Sequence, residues 1–330
     1  MLPARKISVV MPTYNCAPLM ERHLQSVAKW ADLADEIIVV DSRSTDGTLD
    51  MIRDRLRHPK IRFIERDRGL YESWNEGIAA TTGDWIYIST AGDTIERDHL
   101  LHLLDTGERG AADVVISSPK FVDQTGGGHP DPGWPPAKVI ANSGHNEPFI
   151  LSSDAAFLLT HLHFPCAILG SSASNLYRGN HLRTRSFPTD FGRNGDSVWI
   201  LRHAAQSRLC FSPKVGSTFC IHPKEEGCVE KQVALAEKLL AEKARWLSRP
   251  DLDGELVRAL DEEMRLLEEV RLIQRNRRAL WNSYSLKIIL IWKWACLNIS
   301  YLRERSRLRE QRRRILINLL PNSCYQPLPR

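Results

Sequence analysis

Four carboxylates stand where apolar runs end or amphipathic ones begin, places from which a side chain can reach a ligand. Asp41 closes the run Glu36-Ile37-Ile38-Val39-Val40, and Asp93 follows Trp85-Ile86-Tyr87-Ile88 by way of Thr90-Ala91-Gly92. An acid at the carboxyl end of a buried strand lies beside the crevice in which open α/β sheets bind ligands. Asp67 opens Asp67-Arg68-Gly69-Leu70-Tyr71, where Arg68 suits a diphosphate and Gly69 a tight bend. Asp196, in Asn194-Gly195-Asp196-Ser197-Val198-Trp199, starts an amphipathic stretch, with Asp190 a nearby competitor. Such carboxylates can accept hydrogen bonds from a base or ribose, hold a hard divalent cation, or take a proton from an attacking hydroxyl. Each also has a plainer use. Residues 41–47 have the composition of a strand-to-helix turn, and Asp46 fits that use best. Asp93 and Asp196 both suit helix N-caps. Tyr71, Trp74 and Ile78 recur at the spacing of a helix face that enters a core.

The segments around these acids alternate between strand and helix. Apolar runs at 7–11, 36–40, 60–65, 85–89 and 113–117 read as strands. Helical spacing fills 19–30, the stretch carrying Leu49, Ile52 and Leu56, then 70–81 and 97–104. Continuous apolar strands joined by helices predict a mostly parallel, doubly wound α/β sheet covered on both faces. Residues 124–145 are rich in Gly and Pro around Trp134 and are expected to form a long loop, of the kind that is functional or disordered. Residues 151–177 carry no clear period. Residues 230–249 and 254–282 predict two long amphipathic helices broken at Pro250, paired as a hairpin. The expected division is a catalytic domain over 1–222, the helical hairpin over 223–282 and a basic amphipathic tail over 283–330.

Composition excludes several classes. The chain of 330 residues is 42% apolar and 26% charged, enough for one large core and an appendage, so global disorder is ruled out. Seven cysteines, odd in number, widely spaced and without a C-x-x-C pair, read as reduced thiols rather than a disulfide framework or zinc site. The first residues run straight into a strand with no signal peptide, which points to the cytoplasm. The net charge of +5 is concentrated at 303–314, where arginine predominates.

The ordered set of motifs resembles a family 2 glycosyltransferase of the GT-A fold. The residues that carry the resemblance are Val9-Val10-Met11-Pro12-Thr13-Tyr14-Asn15 and Ile38-Val39-Val40-Asp41-Ser42-Arg43-Ser44-Thr45-Asp46-Gly47-Thr48. They continue through Asp67-Arg68-Gly69 with Tyr71, Asn75 and Gly77, then Gly83-Asp84-Trp85-Ile86, and close at Thr90-Ala91-Gly92-Asp93. The likeness covers about the first 120 residues strongly and reaches roughly residue 222. It is similar to bacterial polysaccharide-biosynthesis glycosyltransferases.

The resemblance implies inverting transfer of a sugar from a nucleoside-diphosphate donor, commonly UDP-linked, to a glycan or lipid-linked acceptor. It implies that Pro12, Thr13, Tyr14 and Asp41 line the nucleotide base, and that Asp67, Arg68 and Gly92 add nucleotide contacts. Asp93 then matches the metal-binding acid of a D-x-D-like motif holding Mn²⁺ or Mg²⁺, and Asp196 matches the catalytic base. His222, in Cys220-Ile221-His222-Pro223, matches a phosphate or metal contact, its alternative being a packed histidine. The chain departs from the family pattern twice. The usual first carboxylate of D-x-D is missing, since Ala91 and Gly92 stand before Asp93, and Gly195-Asp196 replaces a Glu-Asp pair.

The run Ile288-Ile289-Leu290-Ile291-Trp292, flanked by Lys287 and Lys293, is too short and too charged to span a bilayer. With the arginines after it, it suits a helix lying on an anionic membrane surface, the alternative being a helix packed on the rest of the chain. No nucleic-acid recognition motif accompanies the arginines. A dinucleotide oxidoreductase would need G-x-G-x-x-G after the first strand, and Pro12-Thr13-Tyr14-Asn15 is not one. A nucleotidyltransferase would want a glycine-rich phosphate loop there, which is also missing. The remaining rival is a non-catalytic GT-A scaffold that binds partners through its helical and basic C-terminal region.

Overall fold

The computed structural model describes residues 5–221, 229–247, 254–282 and 288–329. It divides into two compact units, Met1–Leu239 with Cys324–Arg330, and Leu240–Ser323.

The first unit begins with the alternation expected from the sequence: β1 (Ile7–Thr13), α1 (Ala17–Val27), β2 (Glu36–Asp41), α2 (Thr48–Arg55), β3 (Ile61–Glu65), α3 (Leu70–Ala79) and β4 (Trp85–Ile88). It continues with β5 (Thr94–Ile95), α4 (Arg97–Arg109), β6 (Val114–Ser117), β7 (Lys120–Val122), β8 (Gly128–His129), α5 (Pro135–Ser143), β9 (Phe149–Leu151) and α6 (Ser153–His163). Next come β10 (Asn175–Arg178), α7 (Gly179–Arg183), α8 (Gly195–His203), β11 (Leu209–Ser212) and β12 (Ser217–Cys220). The helices α9 (Val229–Leu247), α10 (Gly254–Asn282) and α11 (Ile288–Leu319) follow, and β13 (Tyr325–Pro327) ends the described chain.

Among the described residues the main sheet has the order β13-β9-β11-β6-β10-β4-β1-β2-β3, and a small sheet runs β5-β12-β7-β8. The half from β4 to β3 is parallel, as the alternation predicts. Beyond β4 the sheet is mixed, because β10 enters antiparallel between β4 and β6. The register sets Thr13 beside Asp41 and Asp41 beside Glu65, so the polar ends of β1, β2 and β3 lie together at one edge.

Alternate residues of the strands serve opposite faces. Val9, Met11, Ile37, Val39, Trp85 and Tyr87 meet Met20, Leu24 and Val27 of α1 and Leu100 and Leu103 of α4 in one buried cluster. On the other face α3 presses so closely that a Cβ on Gly77 would come within 2.5 Å of Val10 Cγ1 and 2.9 Å of Val40 Cγ2. Tyr71, Trp74 and Ile78 of α3 are buried there, as their spacing suggests.

Two stretches differ from expectation. The supposed long loop after residue 124 contains β8 and α5. Pro135 and Pro136 open α5, where missing N–H groups cost nothing, and Gly144 at φ +67 closes it. The unreadable 151–177 contains α6, whose N-cap Ser152 accepts the Ala155 N–H at 3.3 Å, and then β10.

In the second unit α10 and α11 form a helical pair. Leu266 and Val270 pack with Leu308, flanked by Leu267 and Tyr301. Lys243 Nζ donates to Glu263 Oε2 at 2.6 Å with both side chains fully buried. Arg312 reaches the same carboxylate through Nε at 2.8 Å and Nη2 at 2.6 Å. No helix of the described residues is long and apolar enough to cross a membrane.

Candidate functional site

The loops after β1 and β2 are laced together by short polar side chains. Thr13 Oγ1 donates to Asp41 Oδ1 at 2.8 Å, and Asp41 also accepts the Ser44 N–H and hydroxyl, each at 2.7 Å. Thr45 N–H donates to Asn15 Oδ1, and Asn15 N–H to Ser44 Oγ, both at 2.9 Å. Asn15 (φ 43) and Arg43 (φ 52) hold left-handed backbone in these two loops, a strain that persists at ligand clamps when the surroundings over-determine it. Asp46 is a turn acid. Its Oδ1 accepts Thr48 Oγ1 at 2.6 Å, and its Oδ2 accepts the Ala17 N–H at the start of α1.

Above this floor stand exposed groups of mixed character. The Arg68 guanidinium lies over the Tyr14 ring, 4.5 Å from its centre, and Tyr14 is 40% exposed. Arg43 Nη1 donates to Asp67 Oδ1 at 2.5 Å, and both side chains are open to solvent. The structure therefore gathers Pro12, Thr13, Tyr14, Asp41, Asp67 and Arg68 at the carboxyl ends of adjacent parallel strands.

Asp196 opens α8. Its Oδ1 accepts the Ser197 N–H at 2.7 Å, and the Tyr71 hydroxyl lies within hydrogen-bonding reach while also donating to Arg193 O at 3.2 Å. Burial is the first cause that raises the Asp196 pKa, outweighing these donors. The Tyr71 hydroxyl is pushed well above its ordinary value by burial and by the Asp196 charge. Gly195 makes the contact possible, because a Cβ there would fall 2.4 Å from the Tyr71 ring and 2.5 Å from Pro188 O. Asn75 fixes the approach to α8 by donating to Phe187 O and accepting Phe187 N–H, each at 2.8 Å. The motif residues Tyr71 and Asn75 thus position the acid on α8 from the opposite side of the chain. Asp190 behaves differently. It is exposed and paired with Lys238, whose hydrogen bond holds its pKa low.

Asp93 faces the interior and is 4% exposed. Its Oδ1 accepts the Cys220 N–H at 2.8 Å, and its Oδ2 accepts Thr90 Oγ1 at 2.5 Å and Ser171 Oγ at 3.4 Å. Burial pushes its pKa up to about 7. Behind it the His23 ring touches Asp93 O at 2.8 Å, and Arg22 Nη2 donates to Gly92 O at 2.5 Å. Gly92 is itself buried and takes φ +86. A hard cation wants charged oxygens that open toward solvent and substrate. An enclosed carboxyl that already serves three protein donors does not fit that need, so the expectation that Asp93 holds Mn²⁺ or Mg²⁺ does not match its setting. Among the described residues no group of three or more His, Cys, Asp or Glu could hold a metal. His222 lies outside the described residues.

Asp93 and Asp196 have different hydrogen-bond partners, and Asp196 is the acid tied to the Asp67-Arg68-Gly69 segment, through Tyr71. Sequence reasoning missed Arg22, Ser171 and the Tyr71 hydroxyl. Arg22 and Ser171 carried no signal, since the residues they meet lie 70 and 78 positions away. Tyr71 stood inside a recognised motif, and Gly195 before the acid was its clue.

Residues 8–165 match the family described as Glycosyl transferase family 2. The succinoglycan biosynthesis protein ExoO of Rhizobium meliloti is 27% identical over 122 residues, covering 36% of this chain and 35% of that protein. A PGL/p-HBAD biosynthesis glycosyltransferase of Mycobacterium bovis is 31% identical over 119 residues, covering 34% of this chain and 46% of that protein. The chain thus spans about a third to a half of the length of these curated relatives. Among solved structures, S. aureus TarS 1-349 in complex with UDP-GlcNAc aligns with a TM-score of 0.56 at 17% identity, covering 94% of this chain and 92% of that one. The mannosyltransferase PcManGT from Pyrobaculum calidifontis, in complex with GDP-Man and Mn²⁺, aligns with a TM-score of 0.55 at 18% identity, covering 96% and 88%. The shared fold is an α/β sheet of GT-A type, and the stretch 8–165, which carries the laced loops of β1 and β2, is the part that matches glycosyl transferase family 2.

Proposed function

We propose that the chain is an inverting glycosyltransferase that moves a sugar from a nucleoside diphosphate, UDP-linked by preference, to a hydroxyl of a glycan or lipid-linked acceptor in cell-surface polysaccharide synthesis. The observation that carries this reading is the meeting of Asp196 with Tyr71. It joins an acid of raised proton affinity to the segment whose Arg68 lies over the Tyr14 ring. The relatives that act in succinoglycan and PGL/p-HBAD biosynthesis support the reaction class, and the UDP-GlcNAc and GDP-Man complexes of TarS and PcManGT support a nucleotide-sugar donor.

In this reading Tyr14 offers its face to the base, with Thr13 and Asp41 fixing the loop beneath. Arg68, its guanidinium exposed above the ring, meets the diphosphate. Asp196 accepts the acceptor's hydroxyl proton as that oxygen attacks the anomeric carbon. The bond from this carbon to the diphosphate oxygen breaks on the opposite face, and the nucleoside diphosphate leaves with the electron pair. A base works best when its pKa lies near the working pH, and the burial that lifts Asp196 acts in that direction. Asp190, exposed and held low by Lys238, lacks that advantage.

The rival reading, a non-catalytic scaffold, draws on the enclosed Asp93 and on the missing first carboxylate of D-x-D. Donor hydrolysis and UDP titration separate the two. The enzyme reading expects hydrolysis of UDP-GlcNAc or another UDP-sugar that Asp196→Asn abolishes while UDP still binds. Binding of UDP with no turnover across a panel of donors and acceptors would favour the scaffold.

A further inference from the structure

One face of α11 is committed to α10 and the opposite face is not. Tyr301 and Leu308 pack toward Leu266 and Val270, Ile315 is buried, and Arg312 and Gln311 reach Glu263 and Glu262. At 3.6 residues per turn, positions 299, 302, 303, 306, 310, 313 and 317 recur on the other side of the helix. That side carries Ile299, Leu302 and Ile317, which are 68%, 62% and 65% exposed. Between and beside them stand Arg303, Arg309, Arg313 and Arg314, all exposed. One acid, Glu310, shares the face, 3.3 Å from Arg314 and 4.0 Å from Arg313.

We propose that this outward face of α11 docks on the anionic surface of a lipid bilayer. The inference stands apart from the proposed sugar transfer and does not depend on it. Aliphatic tips flanked by arginines suit the boundary between acyl chains and headgroups, where guanidinium stems lie along apolar surface and their heads reach phosphates. The three aliphatic residues extend over about 27 Å of helix, long enough to lie along an interface. A second copy is a poor occupant, because a two-fold pairing would set these arginines against their own equivalents. Nucleic acid would answer the arginines but leave the aliphatic ridge in water. The surplus of arginine over Glu310 calls for negative charge, and the ridge calls for an apolar phase beneath it.

The test uses the full chain and vesicles of phosphatidylcholine, with or without about one third phosphatidylglycerol, in a sedimentation assay. Three proteins are compared: the unchanged chain, Arg303→Glu with Arg313→Glu, and Leu302→Ser with Ile317→Ser. All four positions are exposed, so unchanged circular dichroism and melting are expected and confirm folding. The unchanged chain should sediment with the anionic vesicles and poorly with phosphatidylcholine alone. The double charge reversal should weaken partitioning at least about thirtyfold, since each basic group near the surface is worth about fivefold. The serine pair should weaken it as well. Absence of binding to anionic vesicles, or equal binding by all three proteins, overturns the proposal. So does self-association that the same substitutions abolish, or tighter binding to a DNA duplex of equal charge.

Discussion

Asp93→Asn separates a buried strut from a cation ligand. The folded Asp93 has its pKa pushed up to about 7 from an ordinary 3.8, with burial as the leading cause. A carboxyl raised on folding stabilises most when it is protonated. Its contribution is intact below about pH 4 and is lost as the pH climbs toward 7, at about 1.4 kcal/mol per pH unit. The whole interval is on the order of 4 kcal/mol, and the part between about pH 5.5 and pH 8 is on the order of 2 kcal/mol. Asparagine keeps the geometry without the charge. Its carbonyl can accept the Cys220 N–H, and its amide can donate to the hydroxyl oxygens of Thr90 or Ser171. Urea titrations of both proteins at the two pH values should therefore show a pH-dependent loss about 2 kcal/mol smaller in the variant. In thermal melts that difference is roughly 4–8 °C for a unit of this size. Other titrating groups, such as the buried His23 with its pKa lowered to about 4, cancel in the comparison. Parallel pH profiles would refute the reasoning. Stabilisation by Mn²⁺ at pH about 8 in the unchanged chain but not in Asp93→Asn would refute it differently, by showing that the carboxylate reaches a cation.

Further outcomes follow from other contacts. Asp196→Asn should leave the UDP dissociation constant unchanged and lower kcat about 10²–10⁴-fold, the usual worth of a general base, and lost donor affinity with intact turnover would point to another acid. Gly195→Ala should drive a methyl into the Tyr71 ring and cost about 1–3 kcal/mol in urea unfolding, a prediction that an unchanged midpoint would defeat. Asp41→Ala strips three hydrogen bonds from the loops after β1 and β2 and should weaken UDP binding about tenfold or more in calorimetry, since each donor it abandons costs about 1–3 kcal/mol when left buried. Lys243→Met removes one of the two cations from buried Glu263 and should destabilise the helical unit by about 3 kcal/mol, read from the helical signal on denaturation, whereas replacing Lys243 and Glu263 together by apolar residues should cost less.

The legible half of the fold is the half built from local signals. β1, β2 and β4 are continuous apolar runs because both their faces are covered, and their polar ends announce Thr13, Asp41 and the turn before Asp93 without any knowledge of partners. The mixed half was not legible. β10 reverses direction through its pairing with β4 and β6, and four residues carry too little pattern to state a direction. The small sheet is built from strands of two to four residues, shorter than any period can reveal. α5 was hidden by composition, since Pro and Gly read as loop, yet Pro135-Pro136 at its start and Gly144 at its end are boundary signals of a helix. The interior setting of Asp93 was beyond sequence reasoning altogether, because its donors Ser171 and Cys220 are 78 and 127 residues away.

That last failure explains how one residue type divides its duties in this chain. Asp46 accepts bonds across a turn and caps a neighbouring helix from outside it. Asp190 sits in solvent beside Lys238 and is held in its charged form. Asp93 and Asp196 are both lifted by burial, but what surrounds them differs. Asp93 is enclosed by donors from its own turn and from two distant segments that it ties together, and moving it outward would orphan the Cys220 N–H. Asp196 stands half-buried at a helix start within reach of the Tyr71 hydroxyl, next to a glycine that leaves room for the Tyr71 ring. A carboxyl closed off from solvent can serve only its protein donors, whereas a half-buried one can keep a raised proton affinity and still meet an incoming hydroxyl. Burial alone therefore does not assign a role, and neither does the number of donors; what separates the two acids is access, since Asp93 is 4% exposed and Asp196 only half-buried, and the proposed assignment of Asp196 as base rests on that difference.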